Sequence, residues 1–386
     1  MNQHQKLIFD IDKNFFIINQ RPQINKMKKI HFKTFTLLLL PVFAASLADV
    51  QATEIELVGN LDASVVVTKV KGKTATVELA SGFRHGSSIG LIGREDLGGG
   101  NEVGFSLDQG FSLMDGAVTD GDNNSTAAFS REAMLYVSGD WGKLGLGRFG
   151  TLSSGTGSFT MLSGWVFGTT YTTGAWSEFG RTIPQYRLDN AAAYVSPEFS
   201  GFNFSLVYSN GTVSDTRRWS QNNHYYGAAV KYQKGRVLSS LVLETADRRS
   251  PGEVGRLGRM YEVNYGLEVG FGPVTGMFAY QYNAQVRGVK DHIVGLSTRA
   301  AAAAGDILFG VRRLIGKDDG AASNEPSGRR AWSVNVAYEY PLSKRTTLWA
   351  YSAFSDGSKQ LSSKYSVGQV VNYNGAQAAA GITHKF

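Results

Sequence analysis

The chain has 386 residues, with 46 Gly, 8 Pro, 22 Phe, 17 Tyr, no Cys and a formal net charge of +7. Without Cys there can be no disulfides, thiolate metal sites or Cys nucleophiles. No apolar run reaches the roughly 18 residues that a membrane-spanning helix needs, and a mixture rich in Gly and aromatics suits strands joined by flexible turns.

In chain order the first readable element is an export signal. "MKKIHFKTFTLLLLPVFAASLADVQA" starts at Met27, with Lys28, Lys29 and Lys33 as a basic region and Phe35 to Ala45 as an apolar one. Val50-Gln51-Ala52 supplies a small-residue site, so cleavage is expected after Ala52, with Ala48 as the weaker option. Residues 1–26 read as an upstream extension, and 53–386 as the mature chain. Residues 1–52 hold seven Lys/Arg and three acids, which leaves 32 basic and 29 acidic residues in the mature chain. That near-balance gives no basis for nucleic-acid binding.

From Thr53 onward the sequence alternates with period two. "GFNFSLVYS" sets Phe202, Phe204, Leu206 and Tyr208 against Asn203, Ser205, Val207 and Ser209. "RMYEVNYGLEVGF" sets Tyr261, Val263, Tyr265, Leu267, Val269 and Phe271 against Glu262, Asn264, Gly266 and Glu268. Sixteen such segments are expected: 54–67, 86–94, 101–112, 129–138, 142–149, 190–196, 201–209, 223–233, 235–245, 259–270, 273–283, 291–300, 305–314, 330–340, 345–354 and 377–386.

A soluble sandwich also alternates. These segments, however, run to about ten residues, collect aromatics at their ends, and are joined by connections that alternate between short and long, as tilted membrane strands are. Lys234-Gly235 is a short connection, and 114–127, 210–222, 246–258, 315–329 and 355–375 are long polar ones. The fold class expected is an all-β transmembrane antiparallel barrel of about sixteen strands, with a polar, unpacked inner phase enclosing water. The run "AAAGITHKF" carries the alternation to Phe386, so the last strand is expected to pair with "EIELVGNLDASVVV" and close the wall.

The chemical motifs have bland explanations. "GLGRFG" at 145–150 matches a dinucleotide fingerprint, but "TLSSGTGS" follows it and no helix N-terminus is available for a pyrophosphate. His85, His224, His292 and His384 stand in no metal-ligand spacing, and no Ser occupies a nucleophile elbow. No catalytic residue, metal or cofactor is therefore expected. Residues 150–189 form the longest interruption, with Phe159, Trp165, Phe167, Tyr171, Trp176 and Phe179 and, ahead of the Asp189 that ends it, one acid, Glu178. A loop of that length is normally functional, and folded inward it would narrow the lumen.

Six stretches together resemble one known family. They are "VGNLDASV" at 58–65, "IGLIGREDLGGG" at 89–100, "GFSLDQGF" at 104–111, "FSREAMLYVSGDWGKLGLGR" at 129–148, "DNAAAYVSPEFSGF" at 189–202 and the terminal "HKF". In order and spacing they are similar to the trimeric general porins of Gram-negative bacteria, most closely those of β-proteobacteria. The resemblance implies a sixteen-stranded outer-membrane barrel, a homotrimer among outer-membrane lipid and lipopolysaccharide, and passive diffusion of ions and small hydrophilic solutes. It also implies a third extracellular loop folded into the lumen. A terminal strand marked by Ile382, His384 and Phe386 would be read by the barrel-assembly machinery.

Arg131 in "FSREA", Arg148 in "LGR" and Arg187 in "YRLDN" match the family's wall arginines, and Glu178 in "SEFG" matches its loop acid, so these four are the expected pore constriction. Such fixed charge in a narrow passage selects ions by sign. The chain departs from the family pattern at Ser88, where an Arg is common, and at Ile92, where a Lys is common. Arg131 and Arg148 also share strand phase with Leu135 and Val137, and with Leu144 and Leu146, which leaves a rim or interface position open. The alternatives are a substrate-selective outer-membrane channel and, less favoured, a barrel adhesin or outer-membrane enzyme.

Overall fold

The computed structural model describes residues 54–119, 128–154, 157–161, 187–211, 223–248, 258–284, 288–318, 327–357 and 374–386. The export signal expected at 27–52 lies outside them. In chain order the strands are β1 (Glu54–Val70), β2 (Thr76–Ser81), β3 (Ser88–Gly98), β4 (Asn101–Phe111), β5 (Val118–Thr119), β6 (Glu132–Gly139), β7 (Gly142–Gly150), β8 (Arg187–Val195) and β9 (Phe202–Asn210). They continue as β10 (His224–Lys234), β11 (Val237–Arg248), β12 (Gly258–Phe271), β13 (Val274–Ala284), β14 (Lys290–Ala302), β15 (Gly305–Asp318), β16 (Ser327–Pro341), β17 (Thr346–Gly357) and β18 (Gly375–Lys385).

All pairings are antiparallel between neighbours, and β1 pairs with β18 from Asn60↔Lys385 to Val70↔Gly375, so the sheet is closed. β2 and β3 lie end to end along β1. β2 pairs from Thr68↔Thr76 to Ala63↔Ser81, and β3 from Asn60↔Ser88 to Glu54↔Arg94. They form a single wall position, and the two-residue β5 only extends the edge of β4. The wall is thus a closed sixteen-stranded antiparallel barrel. This matches the expected strand count, but β2 falls in 68–85, which the alternation had left as a connection.

Period-two burial shows which phase faces which medium. Leu135, Leu144, Leu146, Phe204, Leu206, Leu243, Leu296 and Ile315 are exposed on the outer phase and form an apolar belt around the barrel. A belt of that extent is stable only against lipid. Exposed aromatics stand at its edges. Trp141 stacks on Tyr194 at 6.5 Å, with the Tyr194 hydroxyl donating to the Trp141 carbonyl at 2.7 Å. At the opposite rim Tyr208 meets His224 Nδ1 at 3.1 Å. Amphipathic rings favour such interfacial positions.

The inner phase carries Asn264, Gln281, Asn283, Asn335 and Gln377. It is less bare than the sequence suggests, because two segments rest on it: residues 151–154 with 157–161, and the short link 82–87 between β2 and β3.

The closing seam is specific. Phe386 exchanges two backbone hydrogen bonds with Gly59, both at 3.1 Å. A Cβ at Gly59 would collide with the Phe386 ring, so the glycine is what lets that ring lie on the wall. Asp62, fully buried on the inner phase, accepts from Thr383 Oγ1 at 2.5 Å, and Thr383 Oγ1 in turn accepts from Trp349 Nε1 at 3.0 Å. The other oxygen of Asp62 accepts from the Arg84 backbone N–H at 3.1 Å. One carboxylate therefore ties β1, β18 and the 82–87 link together.

Asp62→Ala strands buried donors, at about 1–3 kcal/mol each. It is expected to lower the urea midpoint for loss of the compact, heat-modifiable form on a gel, and Asp62→Asn should lie between it and wild type. An Asp62→Ala midpoint equal to wild type would contradict the seam assignment.

Candidate functional site

A bare inner wall becomes a site where something is seated on it, and the seat is built from small residues. Gly145, Ala191, Ala193, Ala229 and Ala246 occupy inner-phase positions of β7, β8, β10 and β11. Into the trough they leave, the start of the long connection after β7 lays Leu152, Phe159 and Met161, all buried. A Cβ at Gly145 would strike the Phe159 ring. Phe149 packs on Phe159 with centroids 4.9 Å apart.

Polar contacts fix the same segment. Glu132, on the inner phase of β6, accepts from Ser158 Oγ at 2.6 Å and from the Ser158 N–H at 3.0 Å. Glu244, on the inner phase of β11, accepts from the Ser153 N–H at 3.1 Å and from Tyr225 at 2.5 Å. These described residues of the connection therefore lie against the inside of the wall. The remainder, 162–186, falls outside the described residues, and the expected loop acid Glu178 falls with it.

Two of the expected arginines come together. Phe129 has φ 54 and breaks the alternation just before β6. Arg131, two residues on, gives its N–H to the Asp108 carbonyl at 3.1 Å and reaches Nη1 to the Gly86 carbonyl at 2.9 Å, over the inner side of the wall. Arg187, buried at the start of β8, and Arg131 both act electrostatically on the inner-phase Asp108, whose carboxylate also bonds Ser88. The cluster is thus Arg131 and Arg187 with Asp108 and Glu132.

Arg148 is elsewhere, and its expected place in the constriction does not follow from its position. It pairs with Ala133 on the outer phase of Leu144 and Leu146, ion-pairs with Asp189, and donates from Nε to the Ser130 carbonyl at 2.5 Å. The physical reason is a register shift between Gly147 and Phe149, opposite which Asn190 takes φ 49. The bulge leaves Arg148 and Asp189 beside each other on the outer side.

Ile382 and His384 lie on the outer phase of β18, and Phe386 covers Gly59, so these three form one outer-facing edge of the seam. Ser88 and Ile92, the two departures from the family pattern, occupy the inner phase beside Asp108 and Ser106. Sequence reasoning missed Asp108 and Glu132, although each sits inside a quoted stretch. Their signal was a carboxylate in an otherwise apolar or Gly-rich strand. It also missed Lys143, whose Nζ lies 3.8 Å from the Tyr136 ring centroid on the inner phase, and Arg84, which reaches the inner-phase Glu339 at 2.9 Å.

Comparison with known proteins gives one answer. The family described as Gram-negative porin matches residues 36–360. Outer membrane porin protein 32 of Delftia acidovorans is 26% identical over 372 residues, which cover 91% of this chain and 99% of that one. An outer membrane porin protein of Bordetella pertussis is 26% identical over 385 residues, covering 83% and 94%. Among solved structures, the anion-selective porin from Comamonas acidovorans superimposes with a TM-score of 0.66 at 24% identity, over 87% of this chain and all of that one. The OmpT barrel of Vibrio cholerae reaches 0.60 at 12% identity. Such a match, running through most of the wall just described, means that this chain belongs to the Gram-negative porin family and is an outer-membrane porin.

Proposed function

We propose that the barrel works as a homotrimer that passes ions and small hydrophilic solutes down their gradients, by steric exclusion and fixed charge alone. The observation that carries this reading is the division of the wall, apolar over most of the outer phase and largely polar on the inner one, with residues 151–154 and 157–161 seated inside. No step in it needs a nucleophile or a cofactor. In this reading 162–186 continue inward from the seated segment and bring Glu178 toward Arg131 and Arg187. The chain reaches the outer membrane after loss of 1–52, and the edge Ile382, His384 and Phe386 is what the assembly machinery recognises. Trimer, leader and assembly signal follow the family pattern stated above.

Within the channel, charge sets the preference. Arg131 and Arg187 are opposed by Asp108 and Glu132, and Ser88 and Ile92 add no positive charge. The Comamonas relative is named as anion-selective. The local balance here is closer to neutral, so a weaker preference is expected. Arg148, already ion-paired on the outer phase, contributes little to it.

In planar bilayers with a salt gradient, Arg131→Ala and Arg187→Ala should each move the reversal potential toward cations, and Arg148→Ala should leave it at the wild-type value. Equal shifts for all three would overturn the assignment. Gly145→Val removes the seat of Phe159. It is expected to raise the single-channel conductance and the swelling rate of proteoliposomes in sugars of graded size. Unchanged size exclusion in a folded Gly145→Val barrel would separate the seated segment from the narrowing of the lumen.

A further inference from the structure

We propose that residues 82–87, the link between β2 and β3, form a second pore-narrowing element: a rigid wedge raised from the wall, facing the long loop across the lumen. This rests on the channel reading above.

The geometry begins with the register. Along β1, β2 stops at Ala63 and β3 resumes at Asn60, so six residues leave the wall opposite only Leu61 and Asp62. Their direction is fixed by what they touch. Phe83 stacks on Trp349 at 5.5 Å and meets Tyr351 edge-on at 5.4 Å. Both partners are inner-phase residues of β17, separated from the β2–β3 wall position by β1 and β18. Arg84 reaches one strand further, to Glu339 on the inner phase of β16. A six-residue segment makes these contacts only by passing through the interior, cutting the chord from β2–β3 to β16.

The wedge is held as a fixed object. Gly82 N–H donates to the Asp62 carbonyl at 2.9 Å, Arg84 N–H to the Asp62 carboxylate at 3.1 Å, and Asp62 N–H to Ser87 Oγ at 3.0 Å. Gly82, with φ 75, makes the turn inward. Asn60 Nδ2 donates to the His85 carbonyl at 3.2 Å, and Arg131 Nη1 closes the base at the Gly86 carbonyl. Buried backbone donors satisfied in this way leave little freedom to swing aside.

Its position relative to the loop is what gives it a role. The apolar cluster under Leu152, Phe159 and Met161 spans β6 to β12, whereas the cluster under the wedge runs from β15 through β18 to β1. In a ring of sixteen these sectors are centred half a circumference apart. The passage is therefore narrowed from both sides, by the seated residues 151–154 and 157–161 on one and a short strand insertion on the other. The wedge brings Arg84 into a chain of charge, Arg84–Glu339–Arg299–Asp306, along the inner wall. Solutes that clear the loop meet this second rim, whose charge is set by wall residues and not by the loop.

The chain has no Cys, so His85→Cys gives a unique thiol on the half-buried face of the wedge. The test is to record wild type, His85→Cys and the lipid-facing control Val65→Cys in planar bilayers, then add a cationic or an anionic methanethiosulfonate. His85→Cys is expected to lose conductance in discrete steps, with reversal-potential shifts of opposite sign for the two reagents, while Val65→Cys stays at its starting current. A thiol that is labelled by mass without a change in current, or one that is not labelled in the conducting channel, overturns the proposal and leaves the porin reading intact. Wild type without conductance removes both.

A second pair of variants needs no labelling. Arg84→Gln should shift the reversal potential toward cations, Glu339→Gln toward anions, and Phe83→Ala should raise conductance. Three folded variants indistinguishable from wild type would place the wedge outside the ion path.

Discussion

Backbone N–H and C=O groups have no water to bond inside a hydrocarbon layer, and each one left unpaired there costs several kcal/mol. A sheet that crosses lipid must therefore have no edges, and the rest of this structure follows from the way β1 meets β18. The pairing Asn60↔Lys385 to Val70↔Gly375 removes both edges at once. Below it, β1 runs on past β18, and Glu54 to Val58 are paired by β3 alone. Phe386 fills that step by bonding Gly59 on the backbone and covering it with its ring. Asp62 stands at the same level on the inner side, bonding Thr383 across the seam. The closing register thus fixes, within a few residues, the outer aromatic edge, the inner carboxylate and the insertion that the carboxylate holds.

Closure also separates two media, and the side chains divide accordingly. Outer-phase Leu, Phe and Val face lipid and need no partner. Inner-phase residues can be polar because water and the seated segments complete their hydrogen bonds. Small inner residues then become as important as charged ones. Gly145 and the alanines of β8, β10 and β11 do not line the passage themselves but leave the volume in which Leu152 and Phe159 lie. A porin's exclusion limit is in this sense set partly by residues with almost no side chain. The charges of Arg131, Arg187, Asp108 and Glu132 act beside that seat, which is why the same few strands govern both size and sign.

Most of the fold was legible in the sequence, because a wall between lipid and water repeats one two-residue pattern about sixteen times. The closing strand was legible for the same reason. What was hidden lies where the alternation is broken. "GFRHGS" between Ser81 and Ser88 is divided by the alternation between the connection 68–85 and the expected strand 86–94, and only the register along β1 reveals an inward insertion. The arginines show both sides of this. For Arg148 simple alternation with Leu144 and Leu146 gives the observed outer side, and the family pattern pointed the other way. For Arg131 alternation with Leu135 misleads, because Arg131 and Glu132 both stand opposite Asp108, whose carbonyl accepts from the Arg131 N–H, and such a two-against-one step breaks the alternation. A one-residue break reverses the face of everything that follows until the next one. Glu178 lies outside the described residues, so the acid side of the expected constriction rests on the family pattern alone.

The central claim is that this closed wall encloses a continuous water path. Single-channel recording of the purified wild-type protein in a planar bilayer, over a range of salt concentrations, tests it most directly. The account predicts discrete ohmic steps whose size rises in proportion to bulk conductivity. A folded, heat-modifiable barrel that inserts without any such steps would contradict it.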